Sequence, residues 1–278
     1  MLIDVNPVLV SIGALAVRWF GLLALVGLGL AIALSLRELK FQRLDRKLAL
    51  DALAWGLPAG LLTAWLVHAL GYWDYFLTNP AELWRLNVDG LSLWGGLVGG
   101  GLIVLVRLRG DPMRRRNILD AVVPYVALGI VAGRLGEFLD GHGQGLSSSL
   151  PWATLYSNPL AASPDFGVAR HPAQVYDALI ALALFALLKV LPRGLPAGTR
   201  LATFLVLYGL GRLILGGVRL DPAFLLGLQI EQLLALGCVG FGVVYGLRPL
   251  LRRWTAPMAR QGAIAAEPPR ASEDTLAA

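Results

Sequence analysis

The hydrophobic positions of this chain come in long blocks rather than scattered single residues. Seven apolar runs, at about 17–36, 49–72, 91–107, 118–136, 173–191, 201–218 and 225–247, alternate with short connections that carry most of the charge. A bilayer hydrocarbon core of about 30 Å is crossed by roughly 20 apolar helical residues. The pattern therefore predicts an all-α, polytopic membrane protein with about seven transmembrane helices in one domain, 1–253. The third run is short and glycine-rich (WGGLVGGGLIVLV), which suits close helix packing through small residues. No basic segment precedes the first run and no small-residue cleavage site follows it, so it reads as a retained helix. From Trp254 onward the chain is small, polar and proline-containing, and 254–278 is expected to be a disordered tail.

Composition agrees with a membrane protein: 56% of residues are hydrophobic, 15% are charged, and the mean hydropathy is +0.66. The net charge of +6 raises the question of nucleic acid. The basic residues sit in short loops, however, so a nucleic-acid partner is not expected and membrane topology accounts for them. Eighteen of the 24 lie in the connection after run one, the connection after run three, the Lys189–Arg200 region and the tail from Arg248 to Arg270. Only Arg85, Arg170 and Arg219 lie in the opposite set. That asymmetry predicts the N-terminus outside and the C-terminus in the cytoplasm, as an odd number of spans requires. The single cysteine, Cys238, excludes an intrachain disulfide and reads as a packing residue. No phosphate-binding G-x-x-x-x-G-K-[ST] or zinc-binding H-E-x-x-H string occurs, and neither a metal nor a cofactor is expected.

Arg18, Arg134 and Arg212 lie within or at the rim of spans, all in the outer half of the bilayer on this topology. An arginine in lipid is costly unless it snorkels to the interface or faces a cavity. Snorkelling suits Arg18 best; Arg212, about 11 residues or roughly 16 Å into its helix, is too deep for it. The sharper reading is an outward-facing pocket for an anionic group, because a guanidinium binds phosphate through a two-pronged fork. Around Arg134 the stretch GRLGEFLDGHGQG adds Glu137, Asp140 and His142 among glycines that permit tight turns. The connection leading into run five ends in ARHPAQVYDAL, with Arg170, His171, Gln174 and Tyr176 close to the helix start. The aromatics of GYWDYFLTNP suit the interfacial belt. His68, inside run two, reads as a helix contact.

The order VRWFGLLALVG, LSLWGGLVGG, GRLGEFLDGHGQG, RHPAQVYDAL and YGLGRLILGGVR resembles the bacterial prolipoprotein diacylglyceryl transferases as far as about Leu250. The resemblance implies a seven-helix enzyme of the plasma (inner) membrane. Its substrates would be phosphatidylglycerol and the lipobox cysteine of exported prolipoproteins, and its products a thioether and glycerol phosphate. It also assigns Arg134 and Arg212 to the phospholipid head group, and places Gly95, Gly96, Gly145, Arg170, Gln174 and Tyr176 in the substrate-binding region. Of the signature G-R-x-G-N-F-(aliphatic)-N-x-E-x-x-G, Gly133, Arg134, Gly136, Phe138, Leu139 and Gly145 are present; Glu137 and Asp140 stand for the asparagines and His142 for the glutamate. Asp177 takes the place of another glutamate. Phe20, Trp65, Trp94 and Gly216 stand where the family has tyrosine, arginine, histidine and glutamate.

A free thiol with pKa about 8.5 is only a few per cent ionised at neutral pH, so the reaction needs a base as well as a stabilised leaving group. With tryptophan at position 94, His142 and His171 are the candidate bases. A second reading remains open: a divergent homologue that binds or moves an anionic membrane phospholipid, or modifies another acceptor, without thiol transfer.

Overall fold

The computed structural model of the protein describes residues 1–12, 15–84, 91–192 and 194–265. Arg85, Arg193 and residues 266–278, Arg270 included, lie outside the described residues. In chain order the elements are β1 (Leu2–Ile3), β2 (Val8–Ile12), β3 (Leu15–Arg18), α1 (Trp19–Phe41), α2 (Arg46–Gly71), α3 (Trp73–Thr78), a 3-10 turn at Pro80–Trp84, α4 (Leu93–Arg107), α5 (Pro112–Asp140), β4 (Leu155–Tyr156), α6 (Ala173–Val190), α7 (Thr199–Gly216) and α8 (Ile230–Ala265). Helices α1, α2, α5, α6, α7 and the 230–247 part of α8 are long and apolar enough to cross a membrane; α4 is apolar but has 15 residues. Seven apolar helices thus stand where the seven runs do.

Helix α5 is the centre of the bundle and packs on α1, α6 and α7, while α2 pairs with α4 and α7 with α8. The largest core cluster joins Val123, Ala127 and Ile130 of α5 to Ala181 and Leu184 of α6, Phe204 and Tyr208 of α7, and Trp94 of α4. The glycines of run three act as predicted, because α4 approaches α2 backbone to backbone. A Cβ on Gly100 would lie 2.9 Å from the Gly56 carbonyl oxygen, and one on Gly95 would lie 2.6 Å from that of Thr63. Thr63 Oγ1 donates across the same contact to the Gly95 carbonyl, 2.8 Å.

Element ends are set by local chemistry that the apolar pattern does not carry. Asp111 caps α5 by accepting from Met113 N–H (2.8 Å), with Pro112 in the first turn, so the helix begins six residues before the apolar run. Gly198 opens α7 in the left-handed region, and Asp120 of α5 accepts from Gly198 N–H (2.7 Å) and Leu201 N–H (2.9 Å). Helix α8 starts at Ile230 rather than 225 because Phe224–Leu228 is a turn, with Gly227 at positive φ. At its other end α8 continues to Ala265, into the segment expected to be disordered from Trp254. Extending an existing helix needs no new nucleus, and the alanines of 256–265 offset part of the cost of Pro257 and Gly262 within it.

The N-terminal residues form short strands that no helical period reveals. β1 pairs in parallel with β4, and β2 pairs antiparallel with β3. β3 leads directly into α1. The beginnings of α1, α4, α6 and α8 and the ends of α2, α5 and α7 consequently share one end of the bundle, the one that the charge asymmetry assigns to the outside.

Candidate active site

At that end, α5 is closed by Gly141 (φ +87°), and Gly143 (φ +67°) turns the chain back; both lie in the left-handed region that glycine adopts without strain. The turn brings His142 to the wall of a cavity of ≈ 380 Å³, lined also by Arg134, Glu137, Arg219, Asp221, Glu231, Ser92 and His68.

Two polar networks meet there. In the first, the buried carboxylate of Asp140 sits between Arg18 Nε (2.9 and 3.0 Å to its two oxygens) and His142 Nδ1 (2.9 Å to Oδ2). Arg18 therefore faces protein rather than snorkelling, and also donates to the Leu160 carbonyl, 3.2 Å. With Nδ1 committed to the carboxylate, the second ring nitrogen of His142 carries the exchangeable lone pair in the neutral imidazole.

The second network alternates in sign across four elements. Arg134 Nη1 donates to both oxygens of Glu137 (2.6 Å each), and its Nε lies 2.7 Å from Asp177 Oδ2 on α6. Arg212 Nη1 lies 3.7 Å from the same Asp177 oxygen, and its Nη2 contacts Glu231 Oε2 and lies 3.7 Å from Asp221. Arg219 closes the row, with Nε donating to Asp221 Oδ2 at 2.6 Å and Nη1 to the Gly143 carbonyl at 3.3 Å. Burial raises the Asp221 carboxyl; the Arg219 guanidinium, with Arg212 and Arg134, outweighs that and holds it below the ordinary aspartate value. Three guanidiniums face four carboxylates in this row. Arg134 Nη2 and Arg212 Nε nevertheless make no hydrogen bond among the described residues. A buried charge is tolerated only when paired, and the alternation explains how a mostly apolar chain keeps three arginines here.

The predicted site residues do not all reach the cavity. Arg134 and His142 line it, and Gln174 donates its amide to the His142 carbonyl from beneath. Arg212 is 1% exposed and lies behind the cavity wall, screened by Glu231 and Asp221. Gly145 is a close-approach residue: its N–H donates to the His171 carbonyl at 2.9 Å, and a Cβ would lie 2.4 Å from the Val218 carbonyl. Gly95 and Gly96 face α2. Arg170 binds Asp165 and the Gly145 carbonyl (3.4 Å) within the outer loop. His171 Nδ1 lies 3.3 Å from Tyr176 Oη, which accepts from Trp152 Nε1 at 2.8 Å. His68 meets the cavity while packing on Tyr72 and Phe76.

Comparison with known proteins identifies the lineage. Residues 7–248 match the profile of the family described as prolipoprotein diacylglyceryl transferase. The protein named phosphatidylglycerol–prolipoprotein diacylglyceryl transferase from Synechococcus elongatus is 33% identical over 262 residues, covering 87% of this chain and 89% of the relative. Its namesake from Verminephrobacter eiseniae is 34% identical over 270 residues (90% and 95%), and that from Dehalococcoides mccartyi 30% over 250 (87% and 93%). The chain belongs to the prolipoprotein diacylglyceryl transferase family. It is a multi-pass membrane protein of that family.

Trp94, where the resemblance expects a histidine, is a core residue, stacked on Tyr208 with ring centroids 5.3 Å apart. Phe20, where it expects a tyrosine, packs near His142, with centroids 6.1 Å apart. Sequence reasoning missed Arg219, Asp221, Glu231 and Ser92 as cavity residues. Glu231 carried a usable signal, a lone carboxylate inside an apolar run.

Proposed function

We propose that the protein transfers the diacylglyceryl group of phosphatidylglycerol to the lipobox cysteine of exported prolipoproteins at the outer face of the bacterial cytoplasmic membrane. The observation that carries this reading is a single cavity combining guanidinium groups with an imidazole oriented by a buried carboxylate. The lipid phosphate binds at Arg134 and Arg219, the two arginines on the cavity wall among the described residues. His142 takes the proton of the cysteine thiol at its free nitrogen, while Asp140 and Arg18 hold the ring. The thiolate sulfur attacks the glyceryl carbon bonded to the phosphate oxygen. The S–C bond forms as the C–O bond breaks, and the electron pair leaves on glycerol phosphate. Guanidinium donors aimed at that developing charge are commonly worth about 3–4 kcal/mol each.

The geometry favours His142 over His171, whose Nδ1 is engaged near Tyr176 in the outer loop. Detergent-purified protein, phosphatidylglycerol and a synthetic lipobox peptide, followed by mass spectrometry, test the assignment. His142→Ala is expected to lower thioether formation by about 10²-fold or more and His171→Ala to leave most of it. Full activity of His142→Ala would remove His142 from the mechanism. The second reading, a phospholipid-binding homologue without transfer, draws on the pairing of Arg134 with Glu137, which competes with phosphate for the same fork. Arginine-dependent lipid binding with no thioether in the same assay selects it.

A further inference from the structure

We propose that Glu231 is a positioning residue for the transfer reaction: it fixes Arg212, which in turn holds Asp177 and Asp221, the carboxylate partners of the phosphate-binding Arg134 and Arg219. The proposal rests on the transferase reading above. Glu231 lies in the first turn of α8 and uses both carboxylate oxygens. Oε2 contacts Nη2 of Arg212 on α7, and Oε1 accepts from Ser92 Oγ at 3.0 Å. Ser92 is the N-cap of α4: its Oγ accepts from Gly95 N–H at 3.2 Å, and its own N–H donates to the Ala64 carbonyl of α2 at 3.2 Å. One carboxylate thus ties four helices together on the cavity wall, and it fixes a guanidinium that is too deep to take its geometry from solvent. Because Glu231 itself lines the cavity beside Arg134 and Arg219, the direction of Arg212 and the shape of the phosphate site are set by the same group.

Gly216 supplies an independent observation. It lies one turn after Arg212, at the position where the family resemblance has a glutamate. A Cβ there would come within 2.2–2.6 Å of the Gln232 side chain. Gln232 fills that space and donates to the Leu213 carbonyl at 3.2 Å. Two consecutive residues of α8 therefore sit against this turn of α7, Gln232 filling the space beside Gly216 and Glu231 meeting the charge of Arg212.

The test uses the full-length protein in detergent with phosphatidylglycerol and a lipobox peptide, comparing wild type, Glu231→Gln, Glu231→Ala and the double variant Glu231→Ala/Gly216→Glu. Glu231→Gln, which keeps the shape and loses the charge, is expected to lower kcat by about tenfold or more while the KM for phosphatidylglycerol changes by less than about threefold. Glu231→Ala is expected to lose more. The double variant should regain most of the alanine variant's loss, since a glutamate one turn after Arg212 returns a carboxylate to it once the whole Gln232 side chain swings aside, giving up its bonds to Gln229 and Leu213; a role in helix packing alone would give no such rescue. Wild-type kcat in Glu231→Gln overturns the proposal, as does a double variant that melts like wild type yet stays as slow as Glu231→Ala. If the double variant does not fold, kcat of Glu231→Gln decides. Absence of thioether with the wild-type protein would instead overturn the transferase reading, and this proposal with it.

Discussion

Asp177→Asn removes one charge from the middle of the arginine row and leaves the shape nearly intact. Its Oδ2 lies 2.7 Å from Arg134 Nε and 3.7 Å from Arg212 Nη1, and all three side chains are almost wholly buried. At an effective dielectric constant of about 20, those separations correspond to gross attractions of about 6 and about 4.5 kcal/mol. Desolvation offsets most of that, and breaking a buried pair by removing one partner typically costs about 3–5 kcal/mol. Arg134 keeps Glu137 and Arg212 keeps Glu231, so the lower end, about 3 kcal/mol, is expected here. The assay is reversible unfolding in mixed micelles titrated with SDS, with Asp177→Asn, Arg134→Gln and the double variant forming a cycle. A loss under about 1 kcal/mol, or additive single effects, would refute the claim that Asp177 couples the two arginines.

Glu137→Gln should lower the KM for phosphatidylglycerol, by about fivefold in titrations at fixed peptide, because it frees the Arg134 fork that the carboxylate now occupies. Gly95→Ala should destabilise the protein by about 1–3 kcal/mol in the same SDS assay, because its Cβ would press on the Thr63 carbonyl and on Val67 Cβ, 2.7 Å away. Asp221, held below its ordinary value, contributes stability that is present above about pH 4 and is lost as pH falls through the folded value. The stability gap between wild type and Asp221→Asn should accordingly be flat from about pH 8 to about pH 5 and close on further acidification.

The spans were legible because hydrocarbon thickness imposes one strong period on the chain, and runs as different as that of α1 and the glycine-rich α4 both fell into place. Arg134 was legible for the complementary reason, a permanent charge at the edge of an apolar run. What sequence did not reveal depended on partners distant along the chain. Arg18 looked free to snorkel until Asp140, 122 residues away, was brought to it. Arg219 read as one more loop cation, and nothing local announced that it would line the cavity opposite Arg134. The strands β1 and β4 are two residues each and exist only through their pairing. Arg212 was recognised as buried and charged, yet its burial behind Glu231 and Asp221 depends on the approach of α8 and of the loop after α7, which the apolar pattern of α7 does not encode.

On the proposed mechanism this cavity joins a thiol to a diacylglyceryl group rather than merely holding a phospholipid. Its most direct test quantifies both products in one reaction of purified protein with phosphatidylglycerol and a lipobox peptide: the peptide thioether by mass spectrometry and the glycerol phosphate enzymatically. Equal molar amounts of the two are expected, both lost in Arg134→Ala and both absent when the peptide cysteine is replaced by serine. Lipid that stays bound and intact, with neither product formed, would contradict the mechanism.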